Sequence, residues 1–267
     1  MIVVGEKINT SRKEASEAVA ARDAAHLREM ARRQMDAGAT YVDVNCGTFS
    51  EDEAELLPWM VREIQDELGG APVCIDSNNP EAIATALEVH VGKPLLNVSF
   101  SGESSRYEPL SPLIDGRDCR VVAMCMDDEF GFPPEAEQRF KVACDAIERL
   151  HSLGVADDDI FIDPLIQPIG VDTRNGLISA NTIRLIRTEY PAVHSLCGLS
   201  NISHEMPERK LLNQAFMVIC AANGLDAVLL NPEDKDIMRL VYAADVLLDR
   251  DPYCRNFMKA RRKGRLG

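Results

Sequence analysis

Eight times along the chain, a short apolar or β-branched run gives way to a polar loop and then to a stretch with helical spacing. The runs cover residues 2–8, 41–45, 73–76, 95–100, 120–126, 160–165, 196–198 and 227–230. The helical stretches cover 24–37, 52–68, one starting at Asn79-Pro80, then 108–114, 135–153, 179–188, 211–222 and 236–248. Strands alternating with amphipathic helices imply parallel pairing through right-handed crossovers. Eight such units in 267 residues fit an α/β fold of one kind, a closed (β/α)8 TIM barrel. An open doubly wound sheet shares the periodicity and is the alternative. Neither a Gly-x-Gly-x-x-Gly turn nor a Gly-Lys-Ser/Thr P-loop is present, which weakens its nucleotide-binding versions. No composition shift marks a linker, so residues 1–267 read as a single domain.

Composition narrows the function. Apolar residues make up 46%, enough for a large core. A formal net charge of -14 argues against nucleic acid as a partner, because binding a phosphate backbone needs Lys and Arg to replace counterions. No apolar run approaches the roughly 20 residues that span a membrane. The start, Met1-Ile-Val-Val-Gly-Glu-Lys7, lacks the basic flank and long apolar stretch of a secretory leader. The eight cysteines are scattered without a Cys-x-x-Cys pair and read as reduced, mostly buried thiols. A cytoplasmic protein is the expectation.

Polar residues gather where the runs end. Glu6 and Asn9 close the first, Asp43 and Asn45 the second, and Asp76, Ser77 and Asn78 the third. Asn97 and Ser99 close the fourth, Asp163 lies in the sixth, Ser200 and Asn201 follow the seventh, and Asn231 the eighth. In a (β/α)8 barrel all these ends face one mouth, where active sites are built. Helix capping accounts for Asn79 and Asn231, each beside a proline. It accounts less well for Asp76, Asn97 and Asp163, which interrupt apolar runs and would be buried at a cost of several kcal/mol without partners. The set is rich in carboxylates and amides but poor in nucleophiles. It suits a flat ligand offering N–H donors, such as the guanidine-like edge of a pterin.

Competing motifs carry little. His204-Glu-Met-Pro-Glu208 has Glu where a zinc helix needs its second His, and Pro207 would break that helix. The five histidines lack ligand spacing, and no metal site is expected from them. A metal-dependent lyase using Asp43, Asp76 and Asp163 as hard-oxygen ligands is a separate reading. No Gly-x-Ser-x-Gly elbow appears. The basic tail, residues 259–265, reads as a solvated end.

Four motifs in order, Ile75-Asp-Ser-Asn-Asn79, Leu96-Asn-Val-Ser99, Phe161-Ile-Asp-Pro-Leu-Ile166 and Gly198-Leu-Ser-Asn-Ile-Ser203, resemble those of the pterin-binding methyltransferases. The likeness is to the methyltetrahydrofolate:corrinoid methyltransferases in particular. Val4-Gly-Glu-Lys-Ile-Asn9, Asp43-Val-Asn45, Arg209 and Leu211-Leu-Asn213 fit as well. The resemblance implies a TIM barrel, usually a homodimer, holding tetrahydrofolate or methyltetrahydrofolate in its mouth. It implies that Asp76, Asn97 and Asp163 bond the pterin, with Glu6, Asp43, Ser200 and Arg209 also in the folate site. Asn201 would be the catalytic residue, reaching the methylated ring nitrogen. The methyl group would pass to or from the cobalt of a corrinoid (cobalamin) on a partner corrinoid protein, with the direction left open. A non-catalytic pterin-binding protein and a dihydropteroate-synthase-like transferase remain as alternatives.

Overall fold

The computed structural model describes residues 1–101, 104–126 and 131–266, with residues 99 and 104–106 described in backbone alone. Strands β1 (Ile2–Asn9), β2 (Tyr41–Asn45), β3 (Cys74–Asp76), β4 (Leu95–Phe100), β5 (Arg120–Met124), β6 (Ile160–Asp163), β7 (His194–Gly198) and β8 (Ala227–Leu230) form a closed barrel in chain order. Each pairs in parallel with its neighbour, and β8 returns to β1 with Ala227 beside Ile2. Closure settles the question that periodicity left open.

Helices α2 (Ala24–Ala37), α3 (Glu53–Glu67), α4 (Pro80–Val89), α5 (Ser104–Ile114), α6 (Ala136–Ser152), α7 (Asn175–Glu189), α8 (Arg209–Ala222) and α9 (Lys235–Leu247) follow the successive strands. Their ends are set by local chemistry. Asn79 caps α4 by accepting from the Glu81 and Ala82 amides, and Gly38 closes α2 at φ 119°. Two further helices, α1 (Lys13–Ala20) and α10 (Arg255–Arg262), lie outside the eightfold pattern. The basic tail is partly a helix, and Lys259, Arg262 and Lys263 in it are exposed, as expected of a solvated end. Its Arg265 also donates to the Tyr242 hydroxyl at 3.2 Å and the Met35 carbonyl at 3.3 Å.

Side chains alternate across a strand, so one face of each strand looks into the barrel. Inside, Val4, Tyr41, Cys74, Leu95, Val122, Phe161, Leu196 and Ala227 pack as one apolar plug. Outward residues such as Val42, Ile75, Leu96, Val121 and Ile162 join the helices in the larger core. Two residues beyond the plug, on the same inward face, the strands carry Asp43, Asp76, Asn97 and Asp163. These three acids and one amide interrupt apolar runs because they form the layer between the plug and the mouth.

Two strands bulge on the way to that layer. The β1–β2 register slips between Gly5 and Ile8, and the β4–β5 register slips between Asn97 and Phe100. Bulges re-aim side chains, and these sit beside Glu6 and Asn97. The first is braced from outside: fully buried Gln34 of α2 accepts from the Lys7 amide at 3.0 Å. Gln34 Oε1 also lies 2.5 Å from where a Gly5 β-carbon would be. At the opposite end of the barrel, Asp226 accepts from the Ser195 amide at 3.0 Å, pairs with His194 Nδ1 at 2.9 Å, and bonds Arg187.

Candidate active site

The acids of the inward layer do not behave alike. Asp43 is 1% exposed, and neither carboxyl oxygen finds an N–H or hydroxyl donor among the described residues. Its neighbours are Asp76 and the Cys74 thiol, with Glu6 near enough to act on it. Burial, then the Asp76 charge, pushes its carboxyl well above the usual range. Asp43, buried beside a second carboxylate, is thus biased towards its neutral form. Burial raises Asp76 too, while hydrogen bonds from Asn45 and Asp43 oppose the rise. The balance leaves the Asp76 carboxyl at about 6.

Asp76 lies level with Asn97 on β4, and the Asn97 carbonyl accepts from the Ser77 amide at 3.3 Å. Ser77 in turn donates to buried Glu53 at 2.7 Å. The side chain of Ser99 lies outside the described residues. Asp163 ends β6, level with Met124 of β5, and accepts from the Leu165 amide at 2.7 Å. Burial pushes its carboxyl up to about 6, against the pull of the Leu165 amide and the Arg139 charge. Asp163 remains ionised at neutral pH and has acceptor capacity left for a ligand.

The other side of the rim is cationic and amide-rich. Asn201 sits on the 3-10 turn Leu199–Ser203 directly after β7, and its side chain is exposed. Arg209, at the start of α8, donates to the Ser200 carbonyl at 3.0 Å and to Ser203 Oγ at 3.2 Å. Burial raises the Glu6 carboxyl, although its ion pair with Arg12 pulls the other way. A recess of about 70 Å³ brings Glu6 and Ser200 together with Asn213, Asn231 and Asp234. The Asn213 Oδ1 is buried there without a partner among the described residues. Among the described residues, no group of three or more His, Cys, Asp or Glu side chains is placed to hold a metal ion.

The expected residues thus fall into an acid–amide set of Asp43, Asp76 and Asn97, a rim set of Glu6, Ser200 and Arg209, with Asp163 at the end of β6 and Asn201 on the turn after β7. Glu6 acts electrostatically on both Asp43 and Arg209 and so links the first two. Arg12, Glu53 and Arg139 were not foreseen. Each occurs at a place in a loop or helix where charged residues are common, and only folding carries them to the layer. A row of carboxylate and amide acceptors above a dry plug fits the N–H edge of a heterocycle.

Residues 5–231 match the model of the family described as pterin binding enzyme. The chain belongs to the pterin-binding enzymes. It is 36% identical to a methylcorrinoid:tetrahydrofolate methyltransferase of Eubacterium limosum, covering 100% of this chain and 98% of the relative. It is 26% identical to a methionine synthase of Mycobacterium tuberculosis over 86% of this chain but 20% of that protein. Among solved structures, a dihydropteroate synthase from Xanthomonas albilineans in complex with 7,8-dihydropteroate superposes with a TM-score of 0.66 at 17% identity. That match covers 93% of this chain and 92% of the other, and it shows a shared fold.

Proposed function

We propose that this pterin-binding barrel is a methyltransferase that moves a methyl group between a corrinoid on a separate protein and the ring nitrogen of tetrahydrofolate. The observation that carries the reading is the inward layer of Asp76, Asn97 and Asp163 above the apolar plug. Full-length likeness to the Eubacterium enzyme supports it and favours the direction from methylcorrinoid to tetrahydrofolate.

The corrinoid supplies the methyl group as a ligand on cobalt, and the cobalt keeps the electron pair when the carbon leaves. This chain binds and orients the acceptor. Asp76 and Asp163 accept from the pterin N–H groups, charge-assisted bonds that fix the ring plane. Asn97 completes the edge, and the Asp43 proton holds Asp76 in place from below. In this direction the ring nitrogen bonds the carbon as the carbon–cobalt bond breaks, and its proton passes to solvent water at the mouth. Asn201 is the residue assigned to hydrogen-bond that nitrogen, and a bond strongest in the transition state accelerates transfer. Glu6, Ser200 and Arg209 form the rim towards solvent.

The chain works as a homodimer in the cytoplasm. Leu211, Val218 and Ile219 share one face of α8 and are 63%, 43% and 46% exposed, an apolar stripe suited to a second copy. No helix among the described residues is long and apolar enough to cross a membrane. Ile219→Asp should turn dimer into monomer on size-exclusion chromatography with light scattering; an unchanged mass removes this face from the interface.

The activity test mixes the protein with tetrahydrofolate and methylcobalamin and follows the cobalt spectrum. Demethylation dependent on both protein and folate is the expected result. Tight folate binding without any spectral change would make the chain a binding protein instead.

A further inference from the structure

Arg139 of α6 is a guanidinium 1% exposed to solvent. Its Nε donates to the Pro133 carbonyl at 2.8 Å, and its Nη1 donates to the Pro164 and Leu165 carbonyls at 2.9 and 2.8 Å. One side chain therefore ties the loop after β5 to the loop after β6. The acids acting on it are Asp163 at the end of β6 and Glu135 at the head of α6, with the Cys125 thiol beyond β5. Glu135 is half exposed and already paired with Arg174. Asp163 is left as the buried counter-charge.

The carbonyls it holds belong to an unusual turn. Leu165 has φ 63°, the left-handed region that a branched side chain enters only under strain. That conformation lets the Leu165 amide point back to Asp163 Oδ1 at 2.7 Å. A planar five-donor fork grips adjacent carbonyls in a way that a lysine ammonium does not reproduce.

We propose that Arg139 is the positioning residue for Asp163: it clamps the strained Pro164–Leu165 turn, so that the Leu165 amide fixes the Asp163 carboxylate, and it supplies the buried positive charge that keeps this carboxylate ready to accept a pterin N–H. Arg139 touches no ligand and acts through Asp163. This inference rests on the folate-site reading above.

The experiment uses Arg139→Gln and Arg139→Lys in the full chain, with two measurements. In ligand-free protein carrying 13C-labelled aspartate, the Asp163 carboxyl signal is assigned with Asp163→Asn and followed against pH. Its titration midpoint should rise by about one pH unit or more in Arg139→Gln, and by less in Arg139→Lys, which keeps the charge. Tetrahydrofolate affinity, by calorimetric titration, should fall about tenfold in Arg139→Gln at pH 5 and less at pH 8, because only the ionised fraction changes. A residue serving only the fold would lower affinity equally at both pH values. An unchanged midpoint, or an equal loss at both pH values, overturns the proposal. If Arg139→Gln does not fold, Arg139→Lys carries the test. It loses the carbonyl fork, so wild-type affinity in that variant also overturns the proposal. Wild-type protein that fails to bind tetrahydrofolate refutes the functional reading instead, while the midpoint still judges Arg139.

Discussion

The side-chain amide of Asn201 lies against the α-carbon of Gly198, with Nδ2 3.2 Å from the point a β-carbon would occupy. The end of β7 has room for this amide because residue 198 has no side chain. Asn201→Ala should lower the methyl-transfer rate by about 100-fold or more while tetrahydrofolate affinity stays within about threefold, as expected for a bond strongest in the transition state. Gly198→Ala should displace the amide by a few tenths of an ångström and slow transfer by about tenfold. Stopped-flow spectra of the cobalt chromophore give both rates. Wild-type transfer in Asn201→Ala would remove this amide from the chemistry.

Burial and the Asp76 charge raise the Asp43 carboxyl, so a proton on Asp43 shared with Asp76 is the expected arrangement, in which a donor at position 43 matters and its charge does not. Asp43→Asn keeps a donor towards Asp76 and should bind tetrahydrofolate within about threefold of wild type. Asp43→Leu removes it and should weaken binding by about tenfold, the value of a lost charge-assisted bond. Equal affinities in the two variants would refute the shared proton.

Asp163 trades stability for binding. With its folded carboxyl at about 6 against an ordinary 3.8, the group favours the folded state fully only below pH 3.8. That contribution is lost as pH rises to about 6. Asp163→Asn removes the penalty and should stabilise the free protein by about 1–3 kcal/mol at pH 8, with the gain shrinking towards pH 4. The same change should abolish tight folate binding. In wild type, affinity should rise with pH up to about 6 and then level off. Melting curves and titrations across pH check both trends.

At the far end of the barrel, His194 has opposing influences: burial lowers its pKa, but the hydrogen bond and charge of Asp226 outweigh this and leave it raised. The same contacts overcome burial at Asp226 and hold its carboxyl below the usual value. A raised histidine stabilises the fold below its ordinary value near 6.5, and the benefit disappears as pH climbs through the folded value. Asp226→Asn should therefore cost more stability at pH 6 than at pH 9. A pH-independent loss on denaturant titration would exclude the charge contribution.

The barrel was legible because strand and helix periods alternate cleanly, and the inward acids because they break apolar runs at Asp76, Asn97 and Asp163. The repeat count and the family resemblance pointed to closure, but periodicity alone does not show it, since it depends on contacts far apart in sequence such as the Ile2 amide donating to the Asp226 carbonyl. The helices α1 and α10 escaped because they add no strand to the repeat. Asn231 was read as a cap; it accepts from the Glu233 amide, but Asp234 caps α9, and Asn231 also lines the recess with Glu6. The supporting charges Arg12, Glu53 and Arg139 were hidden because an arginine or glutamate in an amphipathic helix or loop looks the same in sequence whether it faces water or a buried carboxyl.

The Gly5–Gln34 contact means that the rim is governed partly from the outer wall. Glu6 leaves the strand where it does because an amide on α2, outside the barrel, grips the backbone just past the kink. Substitutions that alter ligand preference can therefore arise at positions 5 and 34, well away from any bound molecule. A search confined to residues in sight of the mouth would overlook them.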